Sequence, residues 1–217
     1  TVSNNITYTD LGGADAWDTE HYLNIWVCRL NPSLFGQIFG FAYPPEGVPN
    51  WPDGVAASSP EYAGVVLHYA TIGRNNPNNN DDDFDGNDYG RNAVHEVGHF
   101  LGLRHIWGDA VFEDGCSVDD GIEDTPNASA SSNYTCDFDN NTCTDPGEEY
   151  PDMVENYMDY NPDLCLNMFT QEQADMMRFV LEDFRPGLIE GQFDNVKEVT
   201  HHEFNLSVFP NPVSEAM

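Results

Sequence analysis

The eleven residues His95–His105, HEVGHFLGLRH, constrain this chain more than any other stretch. On a helix, His95 and His99 share one face with Cβ atoms roughly 5–6 Å apart, so both imidazoles can reach one ion. Glu96, one step round, is aimed at a water beside that ion rather than at the ion itself. Gly102 falls three residues after His99, where a chain that must leave the helix and turn back wants a residue tolerant of positive φ. His105 then returns as a third ligand. Three protein ligands leave one position open, the pattern of a catalytic rather than a structural zinc. The competing reading, a buried helix with satisfied core histidines, needs a chance match at five fixed positions, on the order of once in 10⁵ chains. The metal reading wins.

Charge narrows the partners. Seven Lys plus Arg stand against 38 Asp plus Glu, a net charge of −31 in 217 residues, so phosphates could not be neutralised and nucleic acid is excluded as a partner. With 40% hydrophobic and 12% aromatic residues the chain still has ample material for one core, or one domain split by a cleft. Such acidity favours solubility in salt and calcium binding, and would draw cationic substrates inward. No apolar run approaches the ~18 residues of a membrane span, so no transmembrane segment is expected. There is no signal-peptide pattern, and a start at Thr1 suggests a processed or trimmed product. A monomer is expected.

Cys116, Cys136, Cys143 and Cys165 all follow the histidine string in loop-like sequence and allow three disulfide pairings. A second zinc site is the rival, but the spacings are not those of a CxxC knuckle. Two disulfides would imply an oxidising, extracytoplasmic compartment. Cys28 is left over in the apolar run YLNIWVC (22–28) and reads as a buried thiol.

Residues 22–28 read as a strand covered on both faces, LFGQIFGFA (34–42) as a second strand loosened by Gly36 and Gly40, and GVVLHYAT (64–71) as a third. His68 reads as a strand residue, not a ligand. Asn75–Tyr89 is turn-rich and low in complexity. Asp81, Asp83, Asp85 and Gly86 fit half an EF-hand loop, but Asn92 stands at its twelfth position, so a solvated loop is preferred. Thr170 to Phe184 is the clearest ordinary helix: Thr170 and Gln173 make a capping box, and Met177, Val180, Leu181 and Phe184 one apolar stripe.

The string HExxHxxGxxH is the metzincin signature. Its extension HEVGHFLGLRHIWGD, with DDGIEDTP (Asp119–Pro126), NYMDY (Asn156–Tyr160) and NMFT (Asn167–Thr170), resembles the pappalysin family, in particular its cytophagalysin branch. The resemblance runs from about Asp15 to about Arg178. It implies an α+β, metzincin-like fold: a twisted β-sheet and active-site helix above, an irregular lower subdomain with a C-terminal helix below, and a zinc cleft between. The catalytic domain would be residues 1–187, with its upper half at 1–105 and its lower half at 106–187. The family's N-terminal helix and first strand find no counterpart, so the chain looks cut there, with any propeptide missing.

The same resemblance implies a secreted zinc endopeptidase acting on proteins or peptides, with zinc on His95, His99 and His105. Glu96 would be the general base, Met158 the apolar floor of the Met-turn, and Tyr160 a donor to the oxyanion. Disulfides Cys116–Cys143 and Cys136–Cys165 are implied, as is a structural calcium on the Asp120 carboxylate and the Glu123 and Thr125 carbonyls. An acidic surface loop is the alternative there. Substrate would pair with residues 65–69, taken as the edge strand. In Arg-cleaving relatives an aspartate directly precedes the cysteine after the Met-turn, at the base of the S1′ pocket. Here Leu164 holds that place and Asp163 lies one residue earlier, so a mixed or apolar preference is expected. Residues 188–205 read as a linker, and LSVFPNPV within 206–217 resembles the opening strand of a type IX secretion sorting domain. The rival from another class is a calcium-dependent surface or adhesive module with a vestigial zinc site. Glu96 argues against it, because a binding module has no use for a base beside the water.

Overall fold

A computed structural model describes residues 4–33, 36–79, 84, 86–110, 115–132, 135–144 and 150–189. The half EF-hand carboxylates Asp81, Asp83 and Asp85, the linker beyond residue 189 and the sorting motif in 206–217 lie outside the described residues.

Three strands build the upper sheet: β1 (Ile25–Cys28), β2 (Gly40–Ala42) and β3 (Val65–His68). They lie in the order β1-β3-β2. β1 runs parallel to β3 with Trp26 opposite Val66, and β2 runs antiparallel with Gly40 opposite Leu67. Every side chain of β3 is buried, as a central strand requires. That corrects the expectation for residues 65–69: β3 has a neighbour on each side, and the rim of the sheet beside the active-site helix is β2. β1 also differs. Trp26 is buried but Ile25 and Val27 are about half exposed, so the strand is fully covered on one face only. The strand expected over 34–42 shrinks to Gly40–Ala42, since Gly36 sits at φ +115, outside strand geometry, and forms only an isolated bridge with Ser33.

Helix α1 (Arg91–Phe100) crosses β2 and β3. Phe100 packs with Val65 and Leu67 beneath it, and Ala93 and Val97 adjoin them. The helix stops where Gly102 takes φ +88, with Leu103 N–H donating to the Gly98 carbonyl at 2.9 Å.

Below α1 the chain has little regular structure until α2 (Gln171–Phe179), opened by the expected capping box and continued by a π-helical turn at Val180–Phe184. Disulfides Cys116–Cys143 and Cys136–Cys165 staple this half in the pairing the resemblance implied. Loops of 27 and 29 residues closed in this way remove roughly 3–4 kcal/mol of denatured-state entropy each. A lower core of Leu103, Ile106, Trp107, Ile122, Ala128 and Met158 takes Met176 and Met177 from α2. Its polar counterpart is the fully buried pair Asn156 and Gln173: Asn156 Nδ2 donates to Gln173 Oε1 at 2.8 Å and Gln173 Nε2 donates back at 3.2 Å. The α+β organisation, with a small sheet and few helices, is the one the resemblance implied.

Candidate metal centre

His95 and His99 come off the same face of α1, and the Gly102 turn brings His105 back to them. The Nε2 atoms of His99 and His105 lie 3.1 Å apart, and those of His105 and His95 3.2 Å apart. Each ring has already assigned its other nitrogen. Nδ1 of His95 donates to the Tyr157 carbonyl at 2.6 Å, Nδ1 of His99 to the Leu103 carbonyl at 2.8 Å, and Nδ1 of His105 to the Asp109 carboxylate. Three Nε2 lone pairs therefore converge with no proton between them, an arrangement that a bound cation satisfies. Tetrahedral zinc with Zn–N bonds of about 2.05 Å would set its nitrogens about 3.3 Å apart, so the donor set fits that ion. Burial holds His95 well below its usual pKa and brings His99 down to about 3, which keeps both imidazoles in the neutral, ligating form.

Glu96 is buried beside the triad, its Oε2 without a hydrogen-bond partner among the described residues. Burial pushes its carboxyl up to about 8, and a divalent cation on the adjacent imidazoles is the charge that would return it to carboxylate. Met158, wholly buried, lies under the helix: a Cβ on Gly98 would stand 2.5 Å from its Sδ, so only glycine allows that contact. Met158 N–H is held by Asn156 Oδ1 at 2.9 Å. The Tyr160 ring lies 5.6 Å from that of His95 and 4.7 Å from that of His105.

The other residues named from the sequence have the following partners. Asp120 is buried, but its carboxylate is engaged by the Thr125 hydroxyl at 2.9 and 3.0 Å and by Ile122 N–H at 3.0 Å. The backbone N–H of Glu123 donates to Glu172 Oε2 on α2 at 2.9 Å. Asp163 Oδ2 accepts from the backbone of Tyr89 at 2.9 Å and Arg91 at 3.1 Å, at the start of α1, while Leu164 next to it is 76% exposed. His68 is buried in the sheet against Phe84, its Nδ1 accepting from Ala70 N–H, away from the triad.

The family model described as pregnancy-associated plasma protein-A, the M43 peptidases, matches residues 7–182. The chain belongs to the pappalysin family. Mature mirolysin of Tannerella forsythia in complex with a cleaved peptide superposes with TM-score 0.68 at 37% identity, covering 85% of this chain and 62% of that one. A promirolysin mutant from the same organism gives 0.68 at 36% identity, over 85% and 54% of the two chains. An extracellular metalloprotease of Arthroderma benhamiae is 41% identical over 101 residues, 46% of this chain and 32% of the relative. Extracellular metalloprotease 1 of Coccidioides posadasii is 39% identical over 101 residues, 46% and 33% of the two chains. This chain thus spans about a third of the length of those metalloproteases. A pappalysin implies zinc, and the convergent imidazoles supply the place for it.

Around the pappalysin triad stand residues that sequence reasoning passed over. Asp109, four beyond His105, binds that ligand's Nδ1 through one oxygen and Arg104 Nε at 3.1 Å through the other. Burial alone would raise its pKa, but the bonds to His105 and Arg104 overrule it and hold the carboxylate at about 2. A carboxylate four residues from the third ligand was the available signal. Trp107 stacks flat on His105, with centroids 4.3 Å apart. From the loop between β2 and β3, Trp51 Nε1 donates to the Gly102 carbonyl at 2.8 Å and Asn50 Nδ2 to the same oxygen at 3.1 Å, fixing the turn. Nothing local to Asn50 or Trp51 announces that role.

Proposed function

We propose that this pappalysin domain is a zinc-dependent endopeptidase with Glu96 as its general base. The observation that carries the reading is the convergence of three imidazole lone pairs next to a buried carboxylate whose Oε2 has no hydrogen-bond partner among the described residues. His95, His99 and His105 would hold the ion through the Nε2 atoms that converge, and their Nδ1 bonds keep each ring turned inward. When bound, zinc supplies Lewis acidity, bringing the pKa of a water toward ~7 and polarising a carbonyl. Glu96 accepts the water's proton on its carboxylate and returns it to the leaving amine. Tyr160 donates its phenolic hydrogen to the developing oxyanion. An extended peptide lies along β2, the strand at the rim of the sheet above the triad. The cleft runs between the upper half, to about His105, and the lower half to residue 187.

The specificity pocket is assigned to Leu164, which leaves a mixed or apolar S1′ site. Secretion is part of the same reading: the domain carries two disulfides, the A. benhamiae and C. posadasii relatives are named extracellular, and no helix among the described residues is long and apolar enough to cross a membrane. A calcium ion at the Asp120–Thr125 turn and a sorting segment in 206–217 complete it.

Hydrolysis of casein, with and without chelator, tests the activity. Glu96→Ala should keep zinc stoichiometric while cutting the rate at least ~10²-fold. A Glu96→Ala protein as active as the parent would overturn the mechanism. With zinc saturating, removal of calcium should lower Tm; an unchanged Tm removes the calcium site.

A further inference from the structure

Glycine weakens a strand relative to alanine, and in a strand it often marks a place where another group comes close. Gly40 occupies one of only three positions in β2, directly above Glu96 of α1. A Cβ built on Gly40 would lie 2.7 Å from Glu96 Cγ, 2.8 Å from Glu96 Oε1 and 2.8 Å from the Val66 carbonyl oxygen. The first two contacts fall on the base itself. Glu96 Oε2, meanwhile, has no hydrogen-bond partner among the described residues. Packing against the β2 backbone, rather than a bond at that oxygen, thus confines the carboxylate from above.

We propose that Gly40 is a positioning residue for Glu96: the missing side chain on β2 forms the slot that sets where the carboxylate stands. The inference rests on Glu96 being the general base, but the slot itself is a property of the protein with or without metal. A methyl group at position 40 must relieve both neighbours: the Val66 carbonyl contact costs the same whatever stands at 96, while the contact with Glu96 is relieved by moving that flexible side chain and so displaces the carboxylate. Displacement of a base by about 1 Å is enough to cost up to 10²-fold in rate.

A double-mutant cycle in the full chain separates this from general damage to the sheet. Against Glu96, Gly40→Ala should reduce kcat on a quenched peptide about 10–10²-fold, with KM within about 3-fold and zinc content unchanged. Against Glu96→Ala, the same substitution should change the residual rate less than about 2-fold. A second readout needs no activity. In zinc-free protein Gly40→Ala should lower Tm by about 5 °C more with Glu96 present than with Glu96→Ala, since only the Val66 carbonyl contact remains in the second background. If Gly40→Ala folds only in the Glu96→Ala background, the slot is likewise upheld. Equal losses in both backgrounds, or failure to fold in both, would place the cost on the Val66 carbonyl and overturn the proposal. If the parent protein is inactive, the peptidase reading fails while the Tm arm still decides the slot.

Discussion

The Asp163 carboxylate and the Arg185 guanidinium sit at opposite ends of α1, each bonded to its backbone. Asp163 Oδ2 accepts from Arg91 N–H at 3.1 Å at the start of the helix, and Arg185 Nε donates to the Phe100 carbonyl at 3.1 Å at its end. The signs match the helix dipole, negative at the N-terminus and positive at the C-terminus. Both residues belong to the lower half, so the helix carrying His95, Glu96 and His99 is clasped from below at both ends.

The N-terminal clasp has a pH signature. Burial raises the Asp163 pKa, outweighing the N–H groups of Arg91, Tyr89 and Gly90 that pull it down. A carboxyl whose folded pKa exceeds its unfolded value binds its proton more tightly when folded. The stability this contributes is therefore present below about pH 4 and is lost as pH rises through the folded value. Asp163→Asn keeps an acceptor for the helix and cannot titrate. Its Tm relative to the parent should thus climb as pH rises above about 4, while Asp163→Ala loses about 1 kcal/mol of capping. Thermal melts across that range decide it, and a flat difference would contradict the assignment.

At the other end, Arg185 lies over the Phe100 ring at 3.5 Å and also reaches the Tyr43 carbonyl at 3.3 Å. Burial lowers its pKa to about 10, well above neutrality, so it remains a cation. Arg185→Met fills similar volume but abandons both carbonyls. We expect a loss of about 2 kcal/mol, or 4–8 °C in Tm for a domain of this size, measured with zinc saturating.

The triad was legible because helical spacing and one glycine dictate it locally: His95, His99 and the turn at Gly102 need only the period of a helix and a positive φ. The capping box at Thr170 was legible for the same reason. The strand beside the site was not. An apolar run such as 65–69 shows burial, but which strands flank it is decided by pairing across the sheet. The central place therefore went unseen, and the rim fell to three residues containing a glycine. The ends of α1 were equally hidden, since Asp163 and Arg185 lie 72 and 85 residues from their partners.

Asp109 orients a ligand rather than binding the metal. By donating its Nδ1 proton to Asp109, His105 keeps Nε2 as the free lone pair and gains basicity. Asp109→Ala should weaken zinc binding about 10–100-fold, read by competition with a chelator of known affinity, and should restore near-normal activity when zinc is in excess. An unchanged affinity would reduce Asp109 to its contact with Arg104.

Specificity gives the last test. A P1′ arginine needs a carboxylate in the S1′ pocket, and the two candidates at that place in the chain are differently committed. Asp163 is buried with Oδ2 spent on the start of α1, so it cannot also turn outward to meet a substrate. Leu164 is 76% exposed and offers only apolar contact. A peptide library should therefore show mixed or apolar P1′ residues, tempered by a general preference for basic peptides from the −31 net charge. Leu164→Asp would place a carboxylate where solvent still screens it, so the gain is that of an exposed ion pair, up to about 1 kcal/mol or roughly 5-fold in kcat/KM for arginine. Raising the salt concentration should erase most of that gain. Strict cleavage before arginine by the unmutated protein would mean that Asp163 leaves the helix to line the pocket, and the pH signature of the clasp should then disappear when an arginine-containing product is bound.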